Sequence, residues 1–590
     1  MDRWQRLVLL IPLAGMLAGA ALAPALWASV AASWRLLDRQ GWSLAFCLAQ
    51  ADCYSWWARA ADALYRQRVA YPHPIWVGPA LLLAGALAAS WLWRWLTPQW
   101  PIYTARWARP KDIRPLVLHP RPAHQAELAI PLLAAHGRIV ALKPSRARRE
   151  LGHVLACAPS RAGKGLWLTY VLLTWPSSAV VLDPKGELYR LTAGYRRTFG
   201  RVLAFCPDGR GHRYDPIAEL DASPEALKAV ALLVLRPEQD LENAVFAQRA
   251  AMLLAAMFRT ARAQGRPALA EARALLDLGP SELVRRLDAQ GDPDVRRWVR
   301  DFLLRDPSEF RAGDLNEDRF LASSWGTLVT RLDPLLSDGV LRATAGMDFH
   351  AADFTRGTPG GPTTLYLIFG EAELDHTQAV LRLVLLSLAL SWLRAADTDP
   401  DGERLPVLVA LDEAGRVPVP RLPDLVSTVA GRGLSVLTVV QSLAQLQDAY
   451  GPAGAHTILA NSHAHLYWST SDLRTAEDLS RLLGQQSVPE TRYSRRVAAL
   501  QPDPVRMTSL RPRELLTPDE FRQIPKDHLI AIVGECPPIL GHRLDWRYVP
   551  WARRLVRLPP PPLAPLPPPP SPAWAVGSAS AGPPQLKTSD

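Results

Sequence analysis

Two short stretches, far apart in the chain, carry residue types that suit phosphate chemistry. The first is CAPSRAGKG, residues 157–165. Ala158, Ala162 and Gly163 are small enough for backbone N–H groups to turn toward an anion. Lys164 adds a point charge where a phosphate loop needs one for β- and γ-phosphates. The pattern [Ala/Gly]-x-x-x-x-Gly-Lys-[Ser/Thr] breaks at its last position. Gly165 brings no hydroxyl for Mg²⁺, and one more water of the ion's shell has to take that place. The expected nucleotide cradle is Ala158, Pro159, Ser160, Arg161, Ala162, Gly163, Lys164, Gly165 and Leu166. The second stretch is VLVALDEAG, residues 407–415, an apolar run that ends in two carboxylates. Asp412 is expected to hold the water shell of Mg²⁺, and Glu413 to orient or deprotonate an attacking water. Each stretch alone has a plainer reading: a glycine-rich turn with a lysine, or a strand ending in an acidic turn. Together, in this order, they point to ATP and Mg²⁺.

Two further positions belong to the same chemistry, and three residues of another strand end are read as supporting it or as facing DNA. Gln441 ends LSVLTVVQ (434–441), from where it either senses a γ-phosphate through water or caps the next helix. Arg432, in AGRGLS, lies at the other end of that strand. Nucleotides in open α/β sheets sit at the C-terminal edge. Arg432 is therefore expected to serve a neighbouring subunit's site as an arginine finger, or else to pair with a local carboxylate. Asp183, Lys185 and Glu187, in DPKGE, end another strand.

These residues need a sheet to hold them. GHVLACA precedes the loop and GKGLWLTYVLLTW follows it as a helix; SSAVVLD, RVLAFCP, TTLYLIFG, LPVLVALD, LSVLTVVQ and AHLYWST read as strands. Continuous apolar strands that alternate with helices, such as 374–396, predict an α/β fold with a mostly parallel sheet covered on both faces. Residues 223–349 have helical periodicity throughout and read as an all-α insertion. The nucleotide-binding domain is then 111–222 plus 350–550. The Pro-rich tail, 551–590, is expected to be extended and solvated from about residue 556.

Residues 1–110 have a different character. Stretches at about 7–32 and 75–96 are apolar enough to cross a bilayer and carry Trp near their ends. The first also reads as a signal peptide. Basic residues at the outer flanks put both ends in the cytoplasm, which leaves Cys47 and Cys53 on the oxidising side, as a disulfide or as two thiols. The net charge of +11 suits an anionic partner, nucleic acid or membrane surface. Arg296, Arg297, Arg300 and Arg305 in the insertion, and Arg492, Arg495 and Arg496 beyond the core, are candidate contacts to a polyanion. No cysteine cluster has zinc spacing.

The motifs PSRAGKG, VVLDPKGELY, LDEAGRVP, GRGLSVLTVVQSLAQLQDAYG and RELLTPDEF, with two N-terminal spans, resemble the conjugative coupling proteins of type IV secretion, the TraG/TraD type, over about residues 140–550. Gly-Lys-Gly in the phosphate loop also occurs in that family, whereas Ala414 stands where relatives more often have Phe. The resemblance implies a RecA-like P-loop motor with an inserted all-α domain, anchored in the inner membrane as a hexameric ring with ATP sites between subunits. It further implies recruitment of a relaxase–DNA complex, with single-stranded DNA, or of protein substrates to the secretion channel. Two other readings stay open: a double-stranded-DNA translocase of chromosome-segregation type, and an ATP-binding substrate receptor without motor activity.

Overall fold

A computed structural model describes residues 103–144, 151–235, 244–311, 313–370, 374–399, 402–494 and 505–570. The two apolar N-terminal stretches, Cys47, Cys53, Arg495, Arg496 and the chain beyond 570 lie outside the described residues. Tyr103–Asp590 forms one compact unit.

Nine strands organise the site: β1 (His153–Cys157), β2 (Ser178–Asp183), β3 (Arg201–Cys206), β4 (Thr363–Ile368), β5 (Val407–Leu411), β6 (Leu434–Val440), β7 (Ser462–Trp468), β8 (His528–Val533) and β9 (Ile539–His542). They belong to a thirteen-stranded sheet. Its centre, in the order β7-β1-β6-β5-β2-β4-β3, is parallel throughout. β8 and β9 join antiparallel beyond β7, followed by strands Ile130–Ala135, Arg138–Leu142 and Val117–Leu118. This antiparallel wing carries none of the motifs, and a separate hairpin of Gln485–Ser494 with Val505–Glu514 meets only the start of RELLTPDEF.

The parallel strands are buried on both faces, which is why they read as unbroken apolar runs. Val180 and Leu182 of β2 join one core, whereas Ala179 and Val181 join the other. Helices α1 (Lys164–Thr174) and α2 (Glu187–Arg196) cover the second face through Trp167, Leu168, Val171 and Leu188. Helices α3 (Leu374–Thr398) and α4 (Leu443–Asn461) cover the first. α3 is long and apolar enough to cross a membrane, but Val380, Leu381, Val384 and Leu388 are buried in the core under the sheet.

Between Pro216 and Thr355 the described residues form helices and no strands. Their apolar side chains, Leu254, Phe258 and Trp298 among them, are continuous with the core that includes Val180 and Leu203. The four arginines read as polyanion contacts each have an acidic partner: Arg296–Asp288, Arg297–Asp294, Arg300–Asp306 and Arg305–Asp314. They form a surface of paired charges.

One feature goes unmarked in the sequence and another departs from its reading. The first is Arg196, which looks like an ordinary surface cation at the end of α2 yet is fully buried. Its guanidinium donates to the carbonyls of Leu172 at 3.1 Å, Trp175 at 2.8 Å and Ser177 at 2.5 Å, and to Thr364 Oγ1 at 2.6 Å. It closes the C-terminal end of α1. The second is the start of the Pro-rich tail. Residues 559–570 are extended, but the segment is docked where solvation was expected from about residue 556. Tyr189 Oη donates to Pro561 O at 2.6 Å; Gly211 N–H donates to Ala564 O at 2.9 Å and Leu566 N–H to Gly209 O at 2.8 Å. Leu563 and Leu566 also pack on the cores, one on each. Prolines cannot form a ladder of their own; Ala564 and Leu566 supply the two backbone hydrogen bonds that hold the segment beside the sheet's outer strand, Arg210–Gly211.

Candidate functional site

Parallel strands bring their C-terminal ends to one edge, and the candidate residues collect there. β1 and β6 end in register, Cys157 opposite Val440, and Ala158 N–H donates to Val440 O at 2.9 Å. The loop thus leaves a fixed point. It turns through Arg161 (φ 64°) and Gly163 (φ 88°) into α1. A left-handed residue other than glycine costs about 1–2 kcal/mol, so Arg161 is held there by its surroundings. Gly163 caps α1 without a side chain, which leaves the N–H groups of the first turn to an anion from outside. A side chain at Gly165 would meet only Glu187 Oε2, at 3.9 Å. A hydroxyl residue would therefore fit, and crowding does not explain its absence.

β5 lies beside β6, with Leu411 opposite Thr438 and, on the other side, Leu182. The chain then turns sharply at Glu413, which has φ 60°. This turn brings both carboxylates to the lysine. Lys164 Nζ donates to Glu413 Oε1 at 2.5 Å and stands 3.5 Å from Asp412 Oδ1. Arg416 Nε is 3.1 Å from Glu413 Oε2. Burial pushes Asp412 above the ordinary carboxylate value, opposed only in part by Lys164. Burial also pushes Glu413 upward, but Lys164, Arg416 and Lys185 outweigh it and hold the group below its ordinary value. Two adjacent carboxylates are thereby given different acidities. Asp183, buried at the end of β2, accepts from Tyr189 N–H at 2.8 Å; burial, with the charge of Asp412 adding to it, raises its pKa to about 6.

Asp412 Oδ1 is buried, and no donor hydrogen-bonds to it among the described residues. A buried carboxylate oxygen that makes no hydrogen bond and has only the long ion pair to Lys164, beside an anion cradle, is a donor that Mg²⁺ takes well, so the residues fit that ion.

Gln441 follows β6 directly. Its Oε1 accepts from Ser160 Oγ at 3.4 Å, and its N–H donates to Gln445 Oε1 at 2.8 Å, so it lies against the phosphate loop. Arg432 is elsewhere. It ends a turn, Ala430–Arg432, that precedes β6, and it pairs with Asp397 of α3 at 2.8 Å. The seven residues of β6 put about 20 Å between that end and Gln441. Within one chain, Arg432 is not part of the cluster.

Sequence reasoning missed Arg543. It follows β9, and its Nη1 donates to Ala162 O at 2.6 Å. No local motif marks it, because it lies 381 positions downstream of its partner. Beside the loop is a cavity of about 520 Å³, lined by Pro159, Ser160, Arg161 and Ala162 on one side and by Ser469, Thr470, Arg522 and Lys526 on the other.

Comparison with known proteins bears on this arrangement. The model of the family "Type IV secretory system Conjugative DNA transfer" matches residues 134–548, more than two thirds of the chain. The conjugal transfer protein TraG of Escherichia coli is 28% identical over 468 residues, 72% of this chain and 71% of that protein. Protein VirD4 of Rhizobium rhizogenes is 26% identical over 421 residues, 69% of this chain and 60% of VirD4. Among solved structures, the plasmid coupling protein TrwB in complex with ADP and Mg²⁺ superposes with a TM-score of 0.51 at 17% identity, covering 74% of this chain and 93% of that one. This last likeness is one of fold.

Proposed function

Because this chain belongs to the type IV secretory conjugative DNA transfer family, we propose that its sheet edge binds and hydrolyses ATP with Mg²⁺ to drive the coupling of DNA to a secretion channel. The observation that carries this reading is Lys164, held between Asp412 and Glu413 at the mouth of the phosphate loop. In this reading the first turn of α1 receives the β-phosphate, and Lys164 reaches the β/γ oxygens. Asp412 would hold Mg²⁺, whose chemistry would be to neutralise charge on the phosphates. An ammonium that moves to a phosphate must leave Glu413. The freed carboxylate then orients a water and accepts its proton. Gln441, already in contact with Ser160, reads the γ-phosphate.

The larger assembly follows from the same reading. Residues 1–110 anchor the chain in the inner membrane by two spans, with the body in the cytoplasm. Residues 223–349 act as a domain inserted into the motor. Six subunits form a ring in which Arg432 leaves Asp397 and reaches the neighbour's ATP. The cargo is single-stranded DNA with its relaxase, or protein substrates. The test is ATP turnover by the full chain in detergent, with and without single-stranded DNA. We expect turnover that DNA stimulates. Nucleotide binding without turnover in either condition would leave a receptor, not a motor.

A further inference from the structure

The peptide between Ala162 and Gly163 is gripped from outside the phosphate loop. Arg543 Nη1 donates to Ala162 O at 2.6 Å. A peptide unit is planar and trans, so its C=O and N–H point in opposite directions. A carbonyl drawn out toward Arg543 therefore aims the Gly163 N–H away from Arg543. Orientation matters in this loop, because an N–H turned toward a phosphate attracts it and a carbonyl turned the same way repels it.

The fit between the two groups is close. A Cβ at Gly163 would lie 2.3 Å from Arg543 Nη1, 2.6 Å from Cζ and 2.9 Å from Nε. The guanidinium occupies the space of the side chain that Gly163 lacks, so a side chain at 163 would have to push it off the loop. The side chain is only 14% exposed. Its backbone N–H donates to Asp527 O at 2.7 Å. Its own carboxylate contact is long, Nη2 to Asp545 Oδ2 at 3.7 Å, and Arg547 takes that carboxylate at 2.6 Å. Nε is buried with no partner. A guanidinium buried with one donor unmet is held there at a cost, and the contact it makes in return is with the loop.

We propose that Arg543 is a positioning residue for nucleotide phosphate: it fixes the orientation of the 162–163 peptide from the antiparallel wing of the sheet. The proposal rests on reading residues 158–166 as a phosphate cradle. It also gives the C-terminal strands a part in that site, because the β8–β9 pair carries the arginine.

The experiment titrates the full chain in detergent with a fluorescent ADP and Mg²⁺, using wild type, Arg543→Ala, Arg543→Lys and Lys164→Ala, and records each unfolding midpoint without nucleotide. A charged hydrogen bond of this kind corresponds to about 10–100-fold in affinity. Arg543→Ala should weaken binding by that factor with an unchanged midpoint. Arg543→Lys should recover part of the loss, and guanidinium added at millimolar concentration should partly rescue Arg543→Ala. Affinity within twofold of wild type in Arg543→Ala overturns the proposal. So does an affinity loss that merely follows a lowered midpoint in both Arg543 variants. If wild type and Lys164→Ala bind ADP equally, the cradle reading itself is wrong, an outcome distinct from the other two.

Discussion

Helix α1 has a cation at each end, Arg196 fully buried and Lys164 partly buried, and the two are treated differently. At its C-terminus Arg196 meets three backbone carbonyls and a hydroxyl. Those acceptors are fixed, and a helix C-terminus favours positive charge. At its N-terminus Lys164 faces the positive end of the same helix and is compensated by Asp412 and Glu413. Carboxylates on a loop can exchange one cation partner for another; carbonyls of a helix end cannot. The lesson is that burial of a charge is not by itself a sign of function. The kind of partner is the better guide: in the function proposed above, the carboxylates at one end of α1 release the lysine to a phosphate.

Changes at the two ends should therefore fail in different ways. Lys164→Ala should abolish ATP turnover, by about 10³-fold or more, because Lys164 is the cation that the phosphate loop presents to the β/γ oxygens. Its unfolding midpoint should move less than that of the Arg196 variant below. Near-normal turnover would erase the distinction between the ends. Glu413→Gln should still bind fluorescent ADP and MgATP but turn over about 10²–10⁴-fold more slowly, since the water loses its base while the lysine and metal oxygen remain. Loss of binding would make Glu413 a structural partner of Lys164, much as the carbonyls are of Arg196.

Arg196→Met is the reverse experiment. It leaves buried carbonyls without donors and should destabilise the fold by about 3 kcal/mol in urea titration, while turnover per folded molecule stays within about twofold. A selective loss of turnover would mean that the C-terminal end also communicates with the site. The smallest effect is expected at Asp183. Its folded pKa is raised to about 6 from an ordinary 3.8, so the folded state holds that proton more tightly and stability falls as pH rises between those values. Asp183→Asn should therefore be more stable than wild type at pH 7.5, by about 1–2 kcal/mol. The gain should shrink below pH 6 and vanish near pH 4. A gain independent of pH would assign it to packing.

The sequence made the C-terminal edge legible because each contributor there ends an apolar run: Lys164 after β1, Asp412 and Glu413 after β5, Gln441 after β6. Parallel topology does the rest, since it brings those ends together whatever the sequence distance. Arg543 escaped for the opposite reason. β8 and β9 are antiparallel, short and outside any motif, and their place beside β7 is a matter of tertiary pairing. Arg196 escaped because nothing local distinguishes an arginine that ends a helix in water from one that ends it against another helix. For Arg432, the sequence located it at the far end of β6, and the ion pair with Asp397 is the partner that a neighbouring subunit would have to displace.

The docked proline segment has a consequence for association. The outermost strand of the sheet, Arg210–Gly211, would otherwise present free amides and carbonyls to any extended chain that came near. Residues 559–570 lie along that margin, and nine of the twelve are proline. Only Leu563, Ala564 and Leu566 have an N–H to offer, and Leu566 has given its own to Gly209. The segment accepts a place beside the sheet and then offers almost nothing to the next chain. It works as a selvedge: the fabric of strands is finished along that side, and copies that meet in solution are denied one route to fusing edge to edge.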